Sequence, residues 1–480
     1  MRKIKKKRRK RLQNSKRLPA LRVPAKASIW YVGSSAVARL LGALGTPVFT
    51  RLLTPEEYGL YPLYNTWLGI FTVIATLEVT GAVIYRGFQR YQDISEDFTS
   101  ATLGLILTLS LSFSLICLLF RGTVNRLTGI DTGAVALMLL QIPATAIISL
   151  YTAKARFEYK YKSVALLNIL TAVAIPLCAV GIIYATNIRG EARIIASSLT
   201  LTVTALPILL KTVNDSPRLF YMPVWKYLLF RSLPLLPHYF AMTMILKVGE
   251  ISVNRLYGAS ALGKYSVALS LGMAMTVISG GILSSLSPWV IRRMKDGDIL
   301  RVRDLLLILT KLICITCLGI LALAPEALAL FSSSAYHSIL PAVYPIALSV
   351  IPTFISSALM SGGIYFEKSW LSALPAIISA TVSAVLTLTL LPIIDYRFVS
   401  LFTLISYTTL AALNVLVFTK MAHQPPIHVT KTLTLFLLTC AYATLLFVFR
   451  NVMLSRFLLA LPLLPPLFKV SKEALDRIKE

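Results

Sequence analysis

The chain has 480 residues, 56% of them hydrophobic and only 14% charged, with a mean hydropathy of +0.74. A soluble domain carries roughly 25% charged residues, so this composition excludes an ordinary water-soluble fold. The formal net charge is +28, and its placement along the chain carries more information than its size.

The first element is a basic tail. Residues 1–26, "MRKIKKKRRKRLQNSKRLPALRVPAK", hold thirteen Lys/Arg and no Asp/Glu. Positive segments stay on the cytoplasmic side of a membrane, so the tail is expected to hold the N-terminus inside and to lean on anionic lipid head groups. No aromatic residue is interleaved with these charges, and nucleic-acid binding is not expected. Ala36-Val37-Ala38 resembles a cleavage site, but the apolar run around it continues well past it, unlike a signal peptide. From residue 28 onward, apolar runs of about 20 residues, the length that crosses a bilayer, recur at 28–50, 60–85, 99–120, 133–153, 162–185, 194–212, 226–247, 265–290, 302–323, 339–365, 370–391, 397–419, 431–449 and 452–468. The sequence therefore predicts an all-α polytopic membrane protein with about 14 transmembrane helices. Alternation at period two is absent, which argues against a transmembrane barrel. The short segments between runs leave no room for a soluble domain of ~50 residues or more. An even number of crossings returns the C-terminus inside, and the loops so assigned to the inside carry the larger share of Lys and Arg. The expected location is the cytoplasmic (inner) membrane, multi-pass, with both termini cytoplasmic.

One phrase occurs twice. "RLLTPEEYGLYPLY" after the first run is echoed by "RLYGASALGKYSVA" after the seventh: Arg51, Leu52, Gly59 and Tyr61 recur as Arg255, Leu256, Gly263 and Tyr265, all at an offset of 204. Six crossings separate the copies, so both fall on the outer face and the halves are parallel repeats. Gly33 in the first run stands at the same offset from Pro237 in the seventh, and both runs are interrupted by Gly or Pro. Matching interruptions in two halves are the sequence pointer to a translocation site. Locally, Gly59 and Gly263 are expected at positive-φ turns between helices, with Tyr61 and Tyr265 at head-group level.

Other chemistries find no support. Cys314 and Cys317 form a C-x-x-C in mid-span with no second pair, which fits a packed helix face. His238, His337, His423 and His428 are scattered and suit no metal. "GASALGKY" has the glycines and lysine of a phosphate-binding loop, but Tyr265 stands where Ser or Thr must hold magnesium. No cofactor is expected.

The residues resemble a known family. "RLLTPEEYGLY", "LPLLPHYFAMTMILKVGEISVNRLYGASALGKYSVA" and "APEALALFSSSAYHSILPAVYPIAL" are similar to the bacterial polysaccharide transporters, the oligosaccharide-lipid (O-antigen) flippases of the multidrug/oligosaccharidyl-lipid/polysaccharide (MOP) superfamily. The likeness runs over residues 28–468. It implies two six-helix lobes around a central cavity that opens alternately to each side, two further C-terminal helices, and a substrate of undecaprenyl-pyrophosphate-linked sugar repeat units. The implied organisation is a tail over 1–27, an N-terminal lobe over 28–225, a C-terminal lobe over 226–425 and the added helices over 426–480. A polysaccharide polymerase and a chain-length regulator are candidate partners. Family members often place an acid next to an arginine near the end of the seventh span; here Glu250 is followed by "ISVN" before Arg255. A drug or cation antiporter would share the architecture but calls for an acid-rich cavity. A membrane-embedded polymerase calls for a large outer loop, and the outer loops here are short.

A pyrophosphate-linked sugar needs a wet, cationic path. Ionisable residues deep in spans are costly unless they face such a path or a partner. Arg39, Lys247, Arg255 and Lys311 are the candidates to line the cavity and meet the pyrophosphate. The acids Glu78 and Glu250 are candidates for coupling to protons or sodium, and equally for counter-ions to Arg39 and Lys247. Trp30, Tyr31, Tyr64, Asn65 and Trp67 are placed to meet sugars or to anchor the interface.

Overall fold

The structure, a computed structural model, describes residues 33, 37, 41, 42, 45–295, 298–365, 373–422 and 424–479. The basic tail, Trp30, Tyr31, Arg39 and His423 lie outside the described residues. Among the described residues the secondary structure is entirely helical. Ten helices are long and apolar enough to cross a membrane, or eleven if the bent pair Met222–Gly272 and Met275–Leu283, which turns by 43°, is one span.

Residues 45–52 end the first span as helix. The repeated phrase then starts helix α1, Pro55–Thr76, and its sequence explains why. Thr54 is the N-cap, Pro55 fills the first helical position, and Glu57 closes a capping box. The Thr54 hydroxyl accepts from the Glu57 amide at 3.3 Å while the Glu57 carboxylate accepts from the Thr54 amide at 2.8 Å. Helix α1 stops where Leu77 and Glu78 both take left-handed backbone angles (φ 49° and 47°), rare for residues with side chains. The first lobe continues with α2 (Ala82–Arg90), α3 (Ser95–Leu119), the short α4 (Arg121–Thr128), α5 (Thr132–Phe157), α6 (Tyr161–Ala185) and α7 (Ala192–Asp215).

Helix α8, Met222–Ser232, follows, and it is separated by one 3-10 turn at Leu233–Leu235 from the long α9, Leu236–Gly272. The expected boundary between lobes at residue 226 falls inside α8. Val224 and Leu228 of α8 pack into the first lobe's own core with Ile84, Phe98 and Leu105, and Trp225 Nε1 donates to the Ala101 carbonyl at 2.8 Å. Within α9 the chain turns sharply at Gly258 (φ 81°, ψ 175°), which ends the seventh span and starts the eighth. The second lobe then comprises α10 (Met275–Lys295), α11 (Ile299–Ala322), the short α12 (Ala324–Phe331), α13 (Leu340–Tyr365), α14 (Ala373–Leu390) and α15 (Val399–Ala422). The C-terminal additions are α16 (Val429–Val448), α17 (Met453–Ala460) and α18 (Leu464–Lys479), which pack on α11 and α13. The fold is thus the expected all-helical membrane architecture of two repeated lobes and a C-terminal appendix.

The glycine and tyrosine expectations need correction. Gly59 and Gly263 are inside helices, and the positive-φ glycines among the described residues are Gly129 and Gly258. The turn comes five residues before Gly263, at Gly258, whose partner at offset 204 is the N-cap Thr54 (ψ 158°). Tyr265 is fully buried and Tyr61 lies half-buried under the Arg193 guanidinium, 4.1 Å from its ring centre, so neither sits free among lipid head groups.

Candidate functional site

The repeated glycines build the seam between the lobes. Helix α1 packs more extensively on α9 than on any other helix. A methyl group on Gly59 would lie 2.0 Å from the Ala259 carbonyl oxygen, and one on Gly263 would lie 2.2 Å from that of Pro55. Adding 204 to 55 and 59 gives 259 and 263, so the two contacts are images of each other. That reciprocity is what an axis relating two copies requires. Only glycine lets two helix backbones come this close.

The repeated arginines join the lobes at the same end of the molecule. Arg51, from the first lobe, donates from Nη2 to the Leu330 carbonyl at 2.9 Å, in the last turn of α12 in the second lobe. Arg255, from the second lobe, donates to the Leu127 carbonyl at 3.2 Å, in the last turn of α4 in the first. Each guanidinium meets the carbonyl end of a short helix, where a cation is favoured by both hydrogen bonding and the helix dipole. Tyr58 and Tyr336 meet edge-on across the lobes with ring centres 5.7 Å apart. Arg193, at the start of α7, sits over Phe49, Tyr58 and Tyr61 at 4.5, 5.0 and 4.1 Å and braces the first lobe's side of this end.

Further along the seam lies the polar cluster. Glu250 of α9 is 6% exposed. Its carboxylate accepts from Lys247 Nζ at 2.8 and 3.1 Å, one turn away on the same helix. The Thr66 hydroxyl of α1 donates to the same carboxylate from the other lobe. Gly69 of α1 lies beside the Lys247 stem. Tyr265, fully buried, stands close by, its hydroxyl 3.9 Å from where a Gly249 methyl would be. A buried carboxylate shared by a lysine and a hydroxyl from the opposite lobe couples charge to the distance between lobes.

Of the six residues singled out by sequence, the structure brings Lys247 and Glu250 together. Arg255 is exposed at the end of the molecule and caps α4, a placement different from the cavity wall expected of it. Lys311 is half-buried in α11 and makes no hydrogen bond or ion pair among the described residues. Glu78 lies in the break after α1, where its carbonyl accepts from Gly81 N at 2.9 Å, and its carboxylate has no partner among the described residues. Tyr64 is buried and donates to Gln141 at 2.7 Å, and the partly buried Asn65 donates from Nδ2 to the Tyr61 carbonyl at 3.1 Å. Sequence reasoning missed Thr66, and it placed Tyr265 at head-group level instead of beside this cluster. The signal for Thr66 was spacing: Gly59 and Thr66 are seven residues apart, two turns along one helix face.

A family model described as a polysaccharide biosynthesis protein matches residues 48–341. A search of curated proteins finds no match. Among solved structures, the chain is similar to the inward-facing conformation of a multidrug resistance MATE family transporter of the MOP superfamily (TM-score 0.59, 16% identity, covering 81% of this chain and 98% of that one). It is similar to an outward-facing conformation of such a transporter (TM-score 0.61, 15% identity, 83% and 96%). A third is a MOP superfamily transporter from Pyrococcus furiosus, described by a reverse polarity of its binding pocket that suggests a different function (TM-score 0.56, 16% identity, 83% and 96%). At these identities the likeness shows the fold.

Proposed function

Because this chain belongs to the polysaccharide biosynthesis protein family, we propose that it is a flippase. It moves undecaprenyl-pyrophosphate-linked oligosaccharide repeat units across the cytoplasmic membrane by alternating access, for O-antigen, capsule or exopolysaccharide assembly. The observation that carries the reading is the charge inside the membrane. Lys247 is matched by Glu250, whereas Lys311 has no counter-ion among the described residues. A half-buried lysine in mid-span without a counter-ion suits a pyrophosphate and repels a cationic drug. The reversed pocket polarity ascribed to the neighbour from Pyrococcus furiosus supports reading this fold as able to hold pockets of different polarity.

In this reading the lobes rock about the α1–α9 seam. The basic tail sets both termini in the cytoplasm, so the end tied by Arg51 and Arg255 faces outward and its cross-lobe contacts close that side. Pyrophosphate arriving from the cytoplasm competes with Glu250 for the Lys247 ammonium. Glu250 is then released to take up a proton or a sodium ion, and its hold on Thr66 of the opposite lobe loosens. The sugars follow the hydrated path, and the isoprenoid stays in lipid. A polymerase and a chain-length regulator receive the product outside.

Reconstitution tests this directly. Proteoliposomes are expected to flip a polyprenyl-pyrophosphate oligosaccharide, read by its accessibility to a membrane-impermeant enzyme, and to leave a cationic dye untransported. Lys311→Gln is expected to slow flipping by about tenfold, the loss of one charge-assisted contact. Dye transport without lipid flipping would replace the flippase reading by the antiporter. In cells, a deletion strain accumulates carrier-linked repeats on the cytoplasmic leaflet; accumulation on the outer leaflet would point to a polymerase.

A further inference from the structure

A cavity of about 290 Å³ opens between α13, α15 and α16. Its wall is apolar, with Tyr344, Leu348, Leu404, Cys440 and Phe447 among its residues, and Arg397 stands at its edge. Two features set it apart from a packing gap. Tyr344 is 4% exposed, and its buried hydroxyl has no hydrogen-bond partner among the described residues. Such a group normally finds one, and its ring packs edge-on against Phe447 at 5.2 Å. The rim is also cationic. Arg450 lies over the Phe447 ring at 4.4 Å and bonds the Phe447 carbonyl, with no carboxylate partner among the described residues. Arg397 uses Nε and Nη2 on Asp395, which leaves Nη1 without a partner among the described residues.

We propose that this cavity holds one acyl chain of an anionic phospholipid whose phosphate is bound by Arg450 and Arg397. The chain fills an apolar space that water would occupy at a cost, the phosphate supplies the charge Arg450 lacks, and the ester oxygens offer the Tyr344 hydroxyl an acceptor. Pairing of Arg397 with Asp395 keeps one arginine oriented while the other stays available. The site therefore ties α16, in the C-terminal appendix, to the second lobe through a lipid.

The experiment uses the full chain in vesicles of phosphatidylglycerol or of phosphatidylcholine, each doped with the matching photoactivatable acyl probe. Attachment sites are read by peptide mass spectrometry. Labelling of α13 and α16 peptides is expected with phosphatidylglycerol, and to fall by about fivefold with phosphatidylcholine or in Arg450→Gln, the effect of one interfacial cation. Leu404→Trp, which fills the cavity, should also remove the label. Arg450→Gln changes a partly exposed residue and keeps the test valid if Leu404→Trp fails to fold. Equal labelling by both lipids, or labelling that survives both substitutions, overturns the proposal. Displacement of the label by a polyprenyl phosphate but not by unlabelled phosphatidylglycerol also overturns it and assigns the cavity to a carrier lipid. The labelling assay involves no transport, so its result stands apart from the flipping assay.

Discussion

Glu250, which is buried, and Lys247, which is partly exposed, form the ion pair on which the proposed cycle turns, and the energetics of such pairs separate structure from function. Removing one partner leaves a charge without compensation, whereas replacing both by apolar residues of similar size is often neutral. Glu250→Ala is therefore expected to destabilise the protein by ~3 kcal/mol, read as a loss in denaturant or thermal midpoint. The double variant Lys247→Met/Glu250→Leu is expected to recover most of that stability while flipping stays lost. Recovery of flipping together with stability would reduce the pair to a structural role. A second pair lies outside the seam. Arg456 bonds Glu326 through both terminal nitrogens, and this holds the Glu326 carboxyl below the usual carboxylate range. A group whose pKa is depressed on folding contributes stability above its unfolded value and loses it as pH falls through the folded one. The melting temperature of Glu326→Gln should thus lie below that of the wild type at neutral pH. The difference should shrink below about pH 4, the range where an unfolded glutamate protonates. A difference that persists undiminished at low pH would show that the pair's charge is not what Glu326 contributes.

At the scale of elements, the repeated phrase is a set of devices for joining two lobes. The arginines cap short helices across the lobe boundary, and the glycines let α1 and α9 touch. Gly59→Ala and Gly263→Ala each force a methyl group into a carbonyl oxygen of the facing backbone, and each is expected to cost ~1–3 kcal/mol, the usual penalty of overpacking. Because the contacts are images of each other, the two variants should behave alike. A harmless Gly263→Ala beside a damaging Gly59→Ala would break the symmetry argument. Part of this was legible in the sequence. The T-x-x-E of Thr54–Glu57 is a capping signature, and the offset of 204 marks equivalent positions. What the pattern misdirected was the glycines' role: glycine is a poor helix former and a good turn former, and close helix contact becomes visible only when the partner backbone is in place. Arg255 was misplaced for a similar reason. An arginine at the end of an apolar run looks the same in one dimension whether it faces a cavity or the end of another helix.

For the whole molecule, the fold class follows from hydropathy and run length, which depend on each span alone. The site depends on which spans meet. Thr66 and Glu250 are 184 residues apart, and no local pattern pairs them. The duplication is the feature that carries information at this distance, because it predicts that equivalent positions lie about a common axis. In the proposed cycle the halves move against each other at this seam. Thr50 Oγ1 lies 3.2 Å from the Phe331 carbonyl across the lobes, so Thr50→Cys and Phe331→Cys can be joined by a short reducible cross-linker in a background with the native cysteines replaced. Flipping of a polyprenyl-pyrophosphate oligosaccharide is then measured in proteoliposomes before and after reduction. The cross-linked protein is expected not to flip the lipid, and reduction is expected to restore flipping; undiminished flipping with the cross-link intact would contradict motion at this seam.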